Sequence, residues 1–483
     1  MKTKKILKKI NWYIFFITVI FLAIVPLFRF VLDKPIIGQE SYYHLRIAQQ
    51  ITKTGLPTHD KLSNSNYILN PLHIPLALFV YIMGEKATSI LFPFLFGILS
   101  IIIYIKLLGK LNIDPVKKFF ISAILITSPI FIYAFSTVNS FILPIFLNLL
   151  GFYFFIQENK SAFYLSILIF ALIPFFGLFN LLVTIIMLLA YSNFEKTKLK
   201  NFYFTSFILL LISLVYYTPL LYPFFFPAKI IFDINILTNI IFELGTTTGF
   251  RIFTLLLAIL GFFKLWSEEN KRTSLFILLL LFQSSFFVTN LTFYLNFIMP
   301  IPAAYGLLTL IKMRWKVELI KKSTLAILII SLLLSSFSSI GTISVSQPTN
   351  QIIDSLAWLK SNSKENEKVL SYFTNSFWIQ KIADRPTLTD QLLKNNLLYT
   401  NLFNISHTIF YSRNIEITTS LLQDNNITYI WIDQNMKTQQ VWTKPDQGLL
   451  FLLENSEIFK KIYNKNDIEI WEFDSTKLNI ENK

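Results

Sequence analysis

The 483-residue chain has no cysteine, four histidines and only 15% charged residues. The missing cysteines exclude disulfides, thiol nucleophiles and thiolate metal sites, and leave the redox compartment open. None of the histidines stands at metal-ligand spacing, which argues against a His-rich metal centre. A Gly-rich phosphate loop, a zinc-ligand pattern and a nucleophile elbow are equally lacking, as is any internal repeat of 20–50 residues. The shortage of charge says most, because soluble domains run nearer a quarter charged.

What fills the space is hydrophobic: 54% of the residues, 50 of them phenylalanine, gathered in long runs. This is a polytopic membrane protein. The formal net charge of +15 does not point to nucleic acid, because the Lys and Arg collect in the gaps between apolar runs. A bilayer core needs roughly 20 apolar residues of helix. Spans are therefore predicted near 11–32, 88–108, 117–135, 139–156, 162–175, 178–192, 202–223, 251–266, 274–290, 296–312 and 323–342. The pair around Pro174 reads equally as one kinked run. The first run shows no small-residue cleavage site and reads as a retained anchor.

Charge tests the register. With the N-terminus inside, the inner segments 1–10, 106–118, 157–161, 193–201, 264–273 and 312–322 hold 5, 4, 1, 3, 3 and 5 Lys or Arg. The short outer turns at 136–139, 175–178 and 290–295 hold none. The positive-inside rule then gives about eleven spans, a cytoplasmic N-terminus and an extracytoplasmic C-terminus. Two long loops, 33–87 and 224–250, fall outside. The Pro71–Gly84 piece of the first is too short to span and reads as re-entrant or interfacial.

Residues 1–344 thus form the membrane domain, and 345–473 a small extracytoplasmic α/β domain with 474–483 as a tail. Predicted helices cover 352–360, 391–398, 415–423 and 448–454. Strands cover 368–373 and 427–433, and a hairpin joins 460–463 to 467–473.

The candidate chemistry lies in the first outer loop. Ile36–Pro57 reads as a helix with Ser41 as N-cap and Gly55 as stop. Tyr43, Ile47 and Ile51 form its apolar stripe, with Arg46, Gln49, Gln50 and Lys53 largely outside it. Glu40 then stands just before the first turn, where unpaired N–H groups favour an anion, and His44 lies one turn on. Solvated charges on an interfacial helix are the plain reading of this stretch. Asp60 and Asp233 read as solvated loop charges. Glu40 and Glu243 border long apolar segments where a spare charge is costly, and are the stronger functional candidates. Asn290, Asn404 and Asn426 open Asn-x-Ser/Thr triplets.

The stretch GQESYYHLR resembles the first external-loop signature of the oligosaccharyltransferase catalytic subunit, whose archaeal forms read Asp-Pro-Tyr-Tyr-His-Leu-Arg. SLAWLKSN, VLSYFTNSFWIQ and ADRPTLTD extend the resemblance into the C-terminal domain. It implies a GT-C-like membrane glycosyltransferase with a polyprenyl- or dolichyl-phosphate-linked sugar as donor and a glycan or protein acceptor. By that resemblance Glu40 stands for the first catalytic, metal-binding aspartate, with Mg²⁺ or Mn²⁺ implied. His44 and Arg46 fall near the donor phosphate, and Glu243 at the acceptor-site glutamate.

The departures are as clear. The family's paired acidic motif falls on Thr137–Ser140, which has no acid. Its phosphate-steadying arginine falls on Asn296, and its Trp-Trp-Asp-Tyr-Gly motif on Tyr372–Ser376. One retained carboxylate suits transfer to a hydroxyl better than transfer to an amide nitrogen, whose lone pair is delocalised. The expectation is a membrane glycosyltransferase with Glu40 as base. The non-enzymatic alternative is an inactive homologue that binds or assembles lipid-linked glycans. A transporter is weaker, for want of an intramembrane charge chain or inverted repeat.

Overall fold

A computed structural model describes residues 2–31, 36–221, 240–244, 246, 248–267, 272–393 and 399–477. Asp233, residues 394–398 and the end of the tail lie outside these. The chain divides into two compact units. One comprises Met1–Ile36, Asn70–Leu220 and Ile231–Val345; the described residues of the other come from Ile37–Leu69 and Ser346–Lys483, with Leu221.

The first unit is helical, and each of the eleven predicted spans overlaps helix among the described residues, although 274–290 is helical only to Ser284 and 296–312 only from Pro300. Among the described residues, four helical stretches are each long and apolar enough to cross a bilayer: Trp12–Val31, His73–Lys110, Lys196–Thr218 and Glu318–Asn362, the last running on into the second unit. Three local signals explain the departures from plain spans. Pro129 cannot donate a backbone hydrogen bond, so the third span breaks into Pro115–Ile126 and Pro129–Ala134, with Ser128 accepting from the N–H of Phe131. Around Pro174 a 3₁₀ turn, Ile173–Phe176, and Gly177 at φ 118° separate two helices, which settles that pair as two. Pro71–Gly84 is helical from His73 onward and runs into the next span across a kink at Gly84, φ 77°.

The helices Ile252–Trp266 and Pro300–Lys312 approach closely through glycine. A Cβ on Gly261 would lie 1.8 Å from the Pro302 carbonyl oxygen, and one on Gly306 2.0 Å from that of Leu257. Small residues permit such backbone contact where lipid supplies no hydrophobic drive. Polar side chains inside the unit pair across helices. Thr184 donates to Asn148 at 2.7 Å and the Tyr294 hydroxyl to Asn180 at 2.6 Å.

The second unit contains a small hairpin, β1 (His59–Asp60) with β2 (Ser65–Asn66), and a four-stranded sheet. The sheet strands are β3 (Lys368–Leu370), β4 (Ile427–Ile432), β5 (Phe459–Lys465) and β6 (Ile468–Phe473), in the order β3-β4-β6-β5. β3 and β4 are parallel, and the other pairs antiparallel. Trp431 and Trp442 are fully buried, and each indole N–H finds an acceptor, Ser355 at 3.1 Å and the Phe410 carbonyl at 2.9 Å. The Thr400–Tyr411 helix follows the predicted 391–398 segment. Its Ser, Asn and Thr interrupt the apolar period and hide it in the sequence.

Candidate functional site

The Gln39–Thr54 helix carries the candidate residues. It starts two positions before the predicted cap. Gly38, at φ 78°, precedes its first residue, and the Ser41 hydroxyl donates to the Ile37 carbonyl instead of capping. Glu40 therefore sits in the first turn, where the helix dipole favours its negative charge. Gly55, at φ 81°, ends the helix as expected, its N–H bonded to the Ile51 carbonyl.

Burial overturns the interfacial-helix reading. All eight residues from Ser41 to Ala48 are buried, polar ones included, rather than one apolar stripe. Tyr43 packs on Phe377 with ring centroids 5.2 Å apart. Glu40 keeps 37% of its side chain exposed, while His44 keeps 4%, and the His44 Nε2 stands 3.8 Å from a Glu40 oxygen. An accessible carboxylate above a buried imidazole is the feature with chemical potential.

Arg46 is committed elsewhere. Its guanidinium donates to both oxygens of Asp60, at 2.7 and 2.6 Å, and to the Gln380 side-chain oxygen at 3.1 Å. Asp60, expected to be solvated, is 3% exposed and also accepts the N–H of Leu62 at 3.1 Å. Burial pushes its carboxyl up, but the Arg46 hydrogen bonds and charge outweigh that and hold it below the ordinary carboxylate value.

The Ala383–Asp390 segment, so specific in sequence, acts as a clamp. Arg385 donates to Ser363 Oγ at 2.7 Å and to the Lys360 carbonyl at 2.9 Å, closing the end of the Asn350–Asn362 helix. The Thr387 N–H reaches the Leu62 carbonyl at 3.0 Å, and Thr387 Oγ1 accepts from Gln380 at 2.9 Å. Asp390 is fully buried and accepts the N–H groups of Leu392 and Leu393. Burial raises its carboxyl, and the Asp60 charge adds to that. Gln380, which touches Arg46, Thr387 and Asp390, carried no signal in the sequence, because a lone glutamine marks nothing.

Tyr372–Ser376 opens a short helical turn directly after β3. Beside it, at the carboxyl end of the parallel strand β4, Asp433 is buried and accepts the N–H of Met436 at 3.0 Å.

In the helical unit, Glu243 lies on a 3₁₀ turn, Phe242–Leu244. One of its oxygens accepts the N–H of Ile252 at 3.1 Å and the other the Ser335 hydroxyl at 2.9 Å. Asn139, where the family pattern has acid, is buried and satisfied. Its amide donates to the Ala134 and Thr137 carbonyls, and its oxygen accepts from Phe141 N–H. Asn296 is buried beside Arg251 on a cavity of about 10 Å³. Arg251, one residue before an apolar run, is a buried charge at the edge of the predicted span 251–266.

As a divalent-metal site, Glu40 and His44 offer one carboxylate and one imidazole. Mg²⁺ demands octahedral oxygen donors, and among the described residues no group of three His, Cys, Asp or Glu side chains converges. These two residues alone do not fit the Mg²⁺ or Mn²⁺ expected at Glu40.

No protein-family model matches the sequence, and no curated protein matches it. Solved structures do match its fold. The archaeal oligosaccharyltransferase AglB from Archaeoglobus fulgidus, in complex with an inhibitory peptide and a dolichol-phosphate, aligns with TM-score 0.64 at 12% identity, over 96% of this chain and 75% of that one. An A. fulgidus oligosaccharyltransferase complex with Zn and sulfate aligns with TM-score 0.62 at 12% identity, over 95% and 73%. ArnT from Cupriavidus metallidurans, bound to undecaprenyl phosphate, aligns with TM-score 0.52 at 11% identity, over 94% and 97%. The chain has the fold of GT-C glycosyltransferases, a multispan helical membrane protein with a C-terminal globular α/β domain.

Proposed function

We propose that the protein is an integral membrane glycosyltransferase that moves a sugar or oligosaccharide from a polyprenyl-phosphate-linked donor to an acceptor hydroxyl on the outer face. The observation that carries the reading is the accessible Glu40 carboxylate over buried His44, on a GT-C fold. In the reaction the bond between the sugar's anomeric carbon and the phosphate oxygen breaks, and a bond to the acceptor oxygen forms. Glu40 takes the acceptor proton, and polyprenyl phosphate leaves. A positioned general base of this kind contributes about 10²–10⁴-fold.

His44, one turn above Glu40, is assigned to the donor phosphate. Arg46 is assigned to positioning: its donors turn to Asp60 and Gln380 and lock the helix that presents Glu40. Glu243, at the start of the Ile252–Trp266 helix, remains the acceptor-side carboxylate by resemblance. A groove of about 540 Å³ with walls such as Leu255, Ile259, Phe282 and Met299 suits the polyprenyl tail. The lysine asymmetry of the loops supports a cytoplasmic N-terminus and an extracytoplasmic C-terminal domain in the cell membrane.

The test is a membrane assay with radiolabelled polyprenyl-phosphate sugars. Glu40→Gln and Glu40→Ala are expected to lower turnover at least a hundredfold while the protein remains folded. Turnover indifferent to both removes Glu40 from the mechanism. A chelator arm with Mg²⁺ or Mn²⁺ restored reports whether a metal joins Glu40.

A further inference from the structure

We propose that the lysine-rich end of the helical unit holds one anionic phospholipid, with an acyl chain between the helices and its phosphate among the lysines. The chain lies in a second groove, of about 300 Å³. Its walls are apolar, among them Leu107, Leu149, Phe152, Leu278 and Ile301, and Tyr191 and Tyr305 add hydroxyl-bearing rings. Tyrosine is enriched where hydrocarbon meets head groups, because its ring is apolar and its tip polar.

The groove is built from helix ends that share one side. His73–Lys110 contributes its last turns and Leu178–Phe194 its last. Ile252–Trp266 adds Leu265 near its end, and Arg272–Ser284 its first turns. The described segments at those ends, 104–118, 156–161, 194–201, 264–267 and 272–273, hold ten Lys or Arg against three Asp or Glu. Particular lysines lie against the walls. Lys117 Nζ sits 4.5 Å from the Tyr305 ring centroid. Lys198 is buried, with its Nζ donating to the Gln157 carbonyl at 2.8 Å, next to the wall residue Ile156.

An apolar slot closed by surplus positive charge matches one class of molecule at that depth, a lipid whose head is an anion. A zwitterionic head would bring a second cation into the same surplus. Each lysine near a membrane surface adds to the attraction for anionic lipid, within about a Debye length. The site adjoins the larger groove assigned to the polyprenyl tail, with Leu265, Leu275, Leu278, Ile298 and Ile301 in the walls of both.

Native mass spectrometry of the full-length protein tests this, with phosphatidylglycerol and phosphatidylcholine of identical acyl chains as probes. One phosphatidylglycerol is expected to bind at least tenfold tighter than phosphatidylcholine and to resist millimolar inorganic phosphate. Lys117→Glu with Lys118→Glu is expected to erase that preference, and Leu149→Trp, which fills the slot, to weaken phosphatidylglycerol at least tenfold. Lys110→Glu, at an exposed position, supplies a charge change that spares folding and is expected to lower the preference severalfold. Equal binding of the two lipids, displacement by free phosphate, or a preference that survives every substitution would overturn the proposal.

Discussion

In the helical unit Arg251 is fully buried, yet its hydrogen-bond partners are all neutral. It donates to the Leu332 and Ile124 carbonyls, at 2.6 and 3.0 Å, and to the hydroxyls of Thr127 and Ser336, at 3.1 and 3.2 Å. In the second unit Arg46 is equally hidden but grips a carboxylate with two parallel bonds. Local sequence explains the first cage. The break before Pro129 turns the Ser128 N–H to the Leu125 carbonyl, which takes the Ile124 carbonyl out of its helical bond and offers it to Arg251. The Glu243 carboxylate lies nearby, but it accepts the Ile252 N–H and the Ser335 hydroxyl and acts on Arg251 only through its charge. A short polar hairpin outside the spans supplies a carboxylate to Arg46 directly, and the result is a tie between the first loop and the C-terminal domain.

The two arrangements should fail by different amounts. Arg46→Met leaves Asp60 charged, buried and alone, which costs about 3–5 kcal/mol. Five of the eight tryptophans belong to the second unit, so denaturant unfolding followed by tryptophan emission reads the loss. Arg46→Met combined with Asp60→Leu is expected to recover most of it, because both charges are then gone. Arg251→Met strands only neutral hydrogen-bond acceptors, because Glu243 keeps its Ile252 and Ser335 donors, and is expected to cost about 1–3 kcal/mol, read by thermal unfolding in detergent. If Arg251→Met proved the more damaging, the contrast between neutral cage and ion pair would be wrong.

A third substitution sharpens the same contrast from the packing side. Gly306→Ala places a methyl against the Leu257 carbonyl, where the backbones of two helices already touch. Overpacking of this kind costs about 1–3 kcal/mol and is expected to lower the melting temperature of the helical unit. An unchanged melting temperature would show that the helices separate at little cost.

The spans were legible because each writes itself twice, as apolar length and as lysine at one end. The sheet was legible at β4, where ITYIWID is β-branched and aromatic throughout, and at the β5–β6 hairpin. The site was only half legible. Glu40 and His44 emerge from local spacing, since residues four apart share a helix face. The fate of Arg46 did not, because its partners Asp60 and Gln380 are 14 and 334 residues away. Asp60 looked like an ordinary loop acid for the same reason. A local window registers composition, whereas burial of an ion pair is decided by which distant segments close over it. The clamp role of Arg385 was hidden likewise, although its Arg-Pro-Thr setting marked the segment.

The smallest expected effect is the acid response of the second unit, where four buried carboxylates pull in two directions: burial raises Asp390 and Asp433, whereas cationic partners outweigh burial and hold Asp60 and Glu469 low. The folded state holds Asp60 below its ordinary value of 3.8. Its contribution is therefore present above that pH and is lost as pH falls through the lowered value. Asp390 is raised above 3.8 by burial, against the Leu393 N–H and Gln380 bonds that favour its charge. Its contribution has the other sign: complete below pH 3.8, and lost as pH rises through the elevated value. On acidification from neutrality, stability should first rise as Asp390 and Asp433 take protons, then fall below about pH 3.8 as the Arg46–Asp60 pair is titrated. Asp390→Asn keeps an oxygen for the Leu392 and Leu393 N–H groups but cannot titrate. It is expected to shrink the rise to the share that Asp433 supplies and to leave the fall, in melting temperatures followed by tryptophan emission between pH 7 and pH 3. A rise that persists at full size in Asp390→Asn would assign it to Asp433 and remove Asp390 from the acid response of this unit.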